Sequence, residues 1–198
     1  MKPALVIKLG GSHVGSALLR PWVDAIVAAD RIVVVPGGGP FADIVRTMQP
    51  TIGYDDLAAH DMAMMAMAQF GRALTALSDR LAYCDDLRDI HAVHDRIAVW
   101  SPWPGLRGAR DVPPSWDITS DSLSLWLARA LDVPAVVLVK HRAAPSAGLG
   151  SLADEGIVDR AFPGFATPYG GTIRIAGPAD VPSGPIDPEH PPGRRVIR

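Results

Sequence analysis

The chain has 198 residues, of which 48% are hydrophobic, and its formal net charge at pH 7 is −2. This is enough to bury a core, and the weak charge gives no general attraction for nucleic acid or anionic membranes. The single cysteine, Cys84, excludes an internal disulfide, and no apolar run reaches the roughly 20 residues that span a bilayer. The composition therefore predicts a soluble, cytoplasmic protein with no nucleic acid or membrane partner.

Short apolar runs alternate with helical patterns along the chain. Strands are predicted over 4–9, 32–36, 96–100, 135–140 and 172–176, and helices over 16–29, 40–49, 55–82 and 120–131. The strands "IVVVP" and "AVVLVK" are rich in β-branched residues without alternation, which is typical of strands covered on both faces. This order predicts an α/β fold, a three-layer α/β/α sandwich with a mainly parallel central sheet.

Two segments are predicted to be irregular. Residues 101–116, "SPWPGLRGARDVPPSW", form a long loop that is either a lid or substrate wall or a packed surface loop. Residues 177–198 form a proline-rich tail that is predicted to be extended and partly disordered. The remaining residues, 1–176, are predicted to form a single domain.

The first strand ends in "KLGGS", which makes Lys8, Gly10, Gly11 and Ser12 candidate phosphate ligands. The carboxyl ends of parallel strands open onto the ligand crevice. The glycines let backbone N–H groups approach an anion, while the lysine and serine add an ammonium and a hydroxyl donor. Strand-end glycines are also common in α/β proteins, so this stretch alone fits either a phosphate-binding turn or an ordinary turn after a strand.

A second glycine-rich turn, "PGGGP", follows the second strand and leads directly into a helix. Gly37, Gly38 and Gly39 thus precede a helix N-terminus, where backbone N–H groups favour an anion. The spacing also fits a dinucleotide-binding fingerprint, but the long helical pattern over 55–82 replaces the strand that this fold requires, and the P-loop pattern is absent. We therefore expect two separate glycine turns facing one crevice.

The stretch "WDITSDSLSLWLARAL", 116–131, places two carboxylates at the start of a helix. Thr119 or Ser120 can cap this helix, and Asp121 falls in its first turn. Asp121 is therefore either a helix-end charge or a carboxylate that positions a lysine, and Asp117 either shares that role or holds substrate. His91 and His94 lack a third ligand at zinc spacing, so no metal site is predicted.

These three segments, in this order and spacing, resemble the amino acid kinase family. The resemblance covers roughly the first 140 residues and implies an α/β/α sandwich that transfers the terminal phosphoryl group of ATP, with Mg²⁺, to a carboxylate, carbamate or phosphate. It implies that Lys8 bridges the transferred phosphoryl group and that Asp121 orients Lys8. Gly10, Gly11 and Ser12 would contact ATP phosphates, and Gly37, Gly38 and Gly39 would hold the acceptor.

Two stretches, "WDITSD" and "HDMAMMAMAQFG", resemble the branch that phosphorylates (5-(aminomethyl)furan-3-yl)methyl phosphate in methanofuran biosynthesis. This implies a phosphate monoester as acceptor. In the second stretch, His60 either contacts substrate or lies at a surface helix end. Its four methionines either pack in the core, including a seam between two protomers of a homodimer or larger homo-oligomer, or shape an apolar pocket.

The resemblance weakens after "AVVLVK", where the family's acidic step and second catalytic lysine are missing. Lys140, His141 or Arg142 supplies the missing charge, with Lys140 expected at the nucleotide, or else the protein has lost efficient ATP use. Residues 1–115 are thus expected to form the acceptor-binding half and 116–176 a shortened nucleotide-binding half, in which Asp159 is a cap or a surface charge. The alternatives are a carboxylate kinase of the same family and a non-catalytic small-molecule or nucleotide-binding protein.

Overall fold

The computed structural model describes residues 2–143 and 148–197. The strands are β1 (Leu5–Leu9), β2 (Ile32–Pro36), β3 (Leu81–Cys84), β4 (Ile97–Trp100), β5 (Ala135–Val139), β6 (Thr172–Ala176) and β7 (Arg194–Arg195). The α-helices are α1 (Leu19–Val27), α2 (Gly39–Ile52), α3 (Asp56–Thr75), α4 (Leu87–Ala92), α5 (Ser120–Ala130), α6 (Leu149–Asp154) and α7 (Phe162–Ala166). The sheet has the order β3-β4-β2-β1-β5-β6-β7, and its neighbouring strands are parallel except for β7, which runs antiparallel to β6.

Helices cover both faces of this sheet, as the sequence predicts. Because side chains alternate along a strand, β1 sends Leu5, Ile7 and Leu9 into a core formed with α1 and the second half of α3. Val6 points the other way, into a larger core that includes α5 and α7. The three-layer α/β/α sandwich with a mainly parallel sheet is therefore confirmed.

The predicted helix over 55–82 was wrong at its C-terminal end. Helix α3 ends at Thr75, and Leu81–Cys84 form β3, which pairs with β4 at the edge of the sheet. Arg80 fixes the turn between them by donating to the backbone carbonyls of Val27, Ala29 and Asp95. These partners lie far away in sequence, so the helical pattern before the turn could not reveal where the helix ends.

The methionines of α3 divide between two environments. Met64 and Met67 are buried in the core shared with α5, whereas Met62 and Met65 are half-buried. Core packing is thus confirmed for Met64 and Met67, and both residues also line a cavity, so the two interpretations hold together for them.

The predicted partial disorder of the tail was wrong for the residues that the structure describes. Ile186 is buried against α1, with its backbone N–H donating to the carbonyl of Ala25. Further on, β7 pairs with β6, and Val196 donates to the carbonyl of Ile173. The tail has little regular structure, but tertiary contacts hold it against the domain.

The loop over 101–116 contains no helix or strand, as predicted, but it sends Leu106 and Val112 into the core. It is attached to α3 by an ion pair of 3.1 Å between Arg107 Nε and Asp61 Oδ2. Among the described helices, none is both long and apolar enough to cross a membrane.

Candidate active site

The two glycine turns meet in direct backbone contact beyond the carboxyl ends of β1 and β2. A Cβ atom built on Gly11 would lie 2.0 Å from the nitrogen of Gly39, and one on Gly37 would lie 2.3 Å from the nitrogen of Gly11. Gly39 also has a φ of +53°, which residues with side chains rarely adopt. Only glycine fits this contact, so the two turns form one unit, as expected from their positions after neighbouring strands.

Lys8 lies beneath these turns on the face of the sheet that packs against α5. Its register neighbours, Val35 of β2 and Leu138 of β5, both belong to the core that contains α5. Lys8 Nζ lies 2.9 Å from Asp121 Oδ1 in the first turn of α5. The alternation of β1 and the start of α5 thus bring together the two residues to which the family resemblance assigns a catalytic role.

A second lysine completes this ionic cluster. Lys140 follows β5 and donates from Nζ to Asp121 Oδ2 at 2.6 Å, so one carboxylate lies between two ammonium groups. The three side chains are only 5–12% exposed. Two cations around one anion leave an excess positive charge, which suits the binding of phosphate oxygens.

Burial and pairing shift the ionisation of this cluster. Burial disfavours the Asp121 carboxylate, but Lys140 and Lys8 outweigh burial and lower its pKa to about 2. Burial lowers the pKa of Lys140 to about 8, with a smaller contribution from Lys8, although Asp121 acts in the opposite direction. Asp121 is therefore ionised at neutral pH, and Lys140 loses its proton far below the usual range for a lysine.

The N-terminus of α5 is capped from a distant part of the chain. The backbone N–H groups of Thr119 and Ser122 donate to Asp159 Oδ2 at 2.9 and 3.0 Å, and the hydroxyls of both residues donate to the same carboxyl group. Thr119 is the N-cap residue, in line with the prediction of Thr119 or Ser120, but its hydroxyl donates to Asp159 and makes no capping bond to the helix. Burial and the neighbouring Asp121 raise the pKa of Asp159.

A cavity of about 340 Å³ opens beside the glycine turns. At one end it is lined by Lys8, Gly11 and Ser12 and by the glycines at 37–39. Its walls come from α2, α3, the end of the 101–116 loop and the start of α5, and they include apolar side chains. Among the apolar side chains are those of Met64, Met67, Ile118 and Leu123.

His60 of α3 lines this cavity and is buried. Its Nε2 atom has no hydrogen-bond partner within the described residues. Burial lowers the pKa of the ring, although Asp61 and the backbone of Ser115 act in the opposite direction. His60 therefore presents a neutral imidazole to the cavity at neutral pH.

The structure brings most of the predicted site residues to one place. Lys8, Gly11, Ser12, His60 and the glycines at 37–39 line the cavity. Gly10 adjoins Lys8, since a Cβ on Gly10 would lie 3.3 Å from Lys8 Nζ, and the ionic cluster connects Asp121 and Lys140 to the same end. Asp117 is exposed and is not among the residues that line the cavity.

The sequence did not identify three side chains that line or close the cavity. Asp43 and Arg46 lie on α2, and Trp116 ends the 101–116 loop. The Arg46 guanidinium lies 4.4 Å from the centre of the Trp116 ring, and Trp116 Nε1 donates to Gln49 Oε1 at 2.7 Å. Asp43 and Arg46 could have been found from their positions in the helix that follows the second glycine turn, but the partner of Trp116 had no signal in the sequence. The loop therefore does form a wall of this cavity.

Comparisons with known proteins place these features in one family. The sequence model of the Amino acid kinase family matches residues 3–142. A curated relative, the [5-(aminomethyl)furan-3-yl]methyl phosphate kinase of Methanocaldococcus jannaschii, is 32% identical over an alignment of 140 residues, and the alignment covers 67% of this chain and 63% of the relative. The aligned region therefore spans less than two thirds of that relative.

Solved structures share the fold at low sequence identity. The uridylate kinase of Archaeoglobus fulgidus superposes with a TM-score of 0.68 at 13% identity, over 100% of both chains. The aspartate kinase of Synechocystis superposes with a TM-score of 0.62 at 16% identity, over 98% of this chain and 39% of the other. The similarity of fold therefore extends beyond residue 142, where the match to the family model ends.

Proposed function

Since this chain belongs to the amino acid kinase family, we propose that it transfers the terminal phosphoryl group of ATP to a small anionic acceptor. The observation that carries the proposal is the contact between the two glycine turns directly above the Lys8–Asp121–Lys140 cluster. Two glycine turns and two ammonium groups meet there. Phosphoryl transfer between two anions needs this kind of alignment and charge neutralisation more than a strong general base.

The first turn and the ionic cluster are assigned to ATP and to the transferred group. Lys8 stabilises the negative charge on the moving phosphoryl group, and Asp121 holds the Lys8 ammonium in place. Gly10, Gly11 and Ser12 bind phosphate oxygens through backbone N–H groups and a hydroxyl. A Cβ on Gly10 would lie 3.3 Å from Lys8 Nζ and 3.4 Å from Ser12 Oγ, so a side chain there would fill the space that these donors share.

Lys140 takes the place of the family's second catalytic lysine, which the sequence lacks after β5. It reaches Asp121 from the end of β5, on the opposite side from Lys8. Residues 116–176 would then form a shortened nucleotide-binding half, and residues 1–115 the acceptor-binding half. Within the described residues there is no group of three or more acidic, histidine or cysteine side chains that could hold a metal ion. Mg²⁺ would therefore take most of its oxygen ligands from the phosphates and water.

The acceptor is assigned to the cavity, with Gly37, Gly38, Gly39 and His60 as its ligands. We propose a phosphate monoester such as [5-(aminomethyl)furan-3-yl]methyl phosphate, which would become a diphosphate. Two observations support this choice. The curated relative acts on that compound, and the cavity joins an anion-binding end to an apolar middle that suits a small ring. Asp117 has no support as an acceptor ligand, because it is exposed outside the lining of the cavity.

The homo-oligomer stays a prediction, and the structure changes the surface on which it would form. Helix α2 has no buried residue, and Phe41, Ile44, Met48 and Ile52 are exposed along it at helical spacing. A second copy of the chain would cover this row, whereas the methionines at 64 and 67 already pack inside the protomer.

The proposed reaction can be tested with purified protein, ATP, Mg²⁺ and [5-(aminomethyl)furan-3-yl]methyl phosphate. We expect a diphosphate product by ³¹P NMR, and we expect Lys8→Met to lower kcat at least about a hundredfold, because it removes charge stabilisation from the transition state. Lys2→Met is the matched control, since Lys2 is 58% exposed and pairs with Asp132 away from the cavity.

Three results would contradict the proposal. If Lys8→Met kept full turnover, Lys8 could not have the catalytic role that the proposal assigns to it. A product that reacts with hydroxylamine, formed from a carboxylate acceptor, would favour an acyl phosphate kinase of the same family. Calorimetry that detects no ATP binding, with or without Mg²⁺, would favour a non-catalytic binding protein.

A further inference from the structure

We propose that Asp43 binds a primary ammonium group on the acceptor, so that the cavity selects a phosphate monoester that also carries an amine. This inference rests on the proposed function and names a specificity-determining residue for it. The phosphate lies at the glycine turns, a flat apolar part lies against the methionines, and the ammonium lies at Asp43.

Asp43 is in the right place along α2. Among the described residues lining the cavity it is the acidic one. Gly39 begins α2, and Asp43 comes four residues later, which is about 6 Å along a helix axis. Two one-carbon arms on a five-membered ring span a comparable length, so an acceptor whose phosphate lies at Gly39 can bring its amine to this carboxylate.

Asp43 is also free to accept a cation. Within residues 2–143 and 148–197, no lysine, arginine or histidine forms an ion pair with its carboxylate. Arg46, one turn further along α2, is the nearest basic residue on the same helix, but its guanidinium lies over the Trp116 ring. Trp116 is in turn fixed by Gln49, so Arg46 is held against the loop while Asp43 remains unpaired.

His60 supplies a second group of matching chemistry. A neutral imidazole has one donor and one acceptor nitrogen, and burial favours the neutral ring here. Its Nε2 atom, buried and without a partner among the described residues, therefore needs a ligand that can complement it. An ammonium carries three N–H donors, enough for a carboxylate and an imidazole nitrogen at once.

The cavity also offers apolar surface for the ring of the acceptor. Ala63, Met64 and Met67 of α3 and Ile118 and Leu123 around the start of α5 give it apolar walls. Asp43 is exposed, so an acceptor without an amine leaves its carboxylate hydrated, whereas an acceptor with an amine gains an ion pair with it.

The test compares two acceptors across wild type and three variants. The acceptors are [5-(aminomethyl)furan-3-yl]methyl phosphate and its analogue without the amine, (5-methylfuran-3-yl)methyl phosphate. The proteins are wild type, Asp43→Asn, Asp43→Glu and the matched control Asp79→Asn, whose exposed carboxylate lies before β3 and away from the cavity. Thermal unfolding checks that all four fold.

We expect wild type and Asp79→Asn to prefer the amine by at least about tenfold in kcat/KM. In Asp43→Asn this preference should fall to within about threefold of unity, and Asp43→Glu, which keeps the charge, should restore part of it. A wild type that uses both acceptors equally, or an Asp43→Asn variant that keeps the preference, overturns the inference and leaves the kinase proposal standing. A wild type that phosphorylates neither compound overturns the proposed function and this inference with it.

Discussion

The part of the chain up to residue 142 and the part from 148 onward contribute to the candidate site in different ways. Every described residue that lines the cavity lies between Lys8 and Leu123, inside the region that matches the family. The C-terminal part contributes no lining residue among those described, but it supplies Asp159, β6 and β7. The first part therefore forms the site, and the second part holds one of its helices in position.

The two parts also differ in what fixes their geometry. In the first part, backbone atoms of two glycine turns touch, so the geometry depends on the absence of side chains. In the second part, one carboxylate reaches back 40 residues to the start of α5, so the geometry depends on a hydrogen-bonding side chain. Lys140 lies where the two parts join, and there the geometry depends on charge.

This difference leads to different sensitivities. One added carbon at the glycine turns should lower stability and turnover most. A change in the protonation of Lys140 should have an intermediate effect on activity. Loss of the Asp159 cap should have the smallest effect.

The glycine contact should give the largest effect. Gly11→Ala places a Cβ 2.0 Å from the nitrogen of Gly39, and backbone atoms cannot move aside as a side chain can. We expect a loss of roughly 3 kcal/mol in the free energy of unfolding and a large loss of turnover. Thermal unfolding with a kinase assay measures both effects.

Gly164→Ala is the control for this substitution. Gly164 lies in α7, where an added Cβ would meet nothing within 4 Å, so alanine should leave stability equal or slightly raised. If Gly11→Ala were as stable and active as Gly164→Ala, the two turns would not be in the contact described.

The protonation of Lys140, where the two parts of the chain join, should be visible in the pH dependence of kcat/KM. The pKa of Lys140 is about 8 in the folded protein, and Asp121, Lys8 and Asp159 are the charged groups around it. If its ammonium binds ATP, kcat/KM for ATP should be level below pH 8 and fall about tenfold per pH unit above it. Lys140→Arg, which stays protonated, should move this fall to much higher pH.

The same shift affects stability with a defined sign. The folded protein releases this proton near pH 8, whereas the unfolded chain holds it up to the ordinary value of 10.5. The contribution of Lys140 to the free energy of unfolding therefore rises with pH between those values, and the buried ammonium costs stability below pH 8.

An alkaline fall in kcat/KM that is identical in wild type and Lys140→Arg would show that another group controls the profile.

The sequence predicted the first part of the chain better than the second. "KLGGS", "PGGGP" and the start of α5 carry their geometry locally, because glycine, strand end and helix start each constrain the backbone nearby. Gly10, Gly11, Gly37, Gly38 and Gly39 could be placed together from this local information.

The features that the sequence did not reveal all depend on contacts between distant residues. Strand β3 is only four residues long, and it forms because β4 is beside it. The tail contains Ile186, whose place against α1 has no local signal. Trp116 becomes a wall of the cavity only because α2 brings Arg46 and Gln49 to it. For such features, hydrophobic periodicity can predict a helix or a strand, but it cannot predict which distant residues that element will contact.

Asp159 gives the smallest effect and tests the role assigned to the second part. Asp159→Ala leaves the N–H groups of Thr119 and Ser122 without their acceptor at the start of α5. Loss of such a cap costs about 1–2 kcal/mol, and relief of the repulsion from Asp121 offsets some of it. We expect a net loss of about 1 kcal/mol by chemical denaturation and a loss of kcat below tenfold, because α5 carries Asp121 but Asp159 itself does not line the cavity.

Asp154→Ala is the matched control, because Asp154 is exposed at the end of α6 and should change stability by less than about 0.5 kcal/mol. The size of the activity loss then separates two roles. A loss of kcat as large as that of Lys8→Met would place Asp159 in the catalytic machinery and end the division between a part that forms the site and a part that supports it. A loss of stability with nearly full turnover would mean that the ion pairs of Asp121 with Lys8 and Lys140 hold the start of α5 on their own.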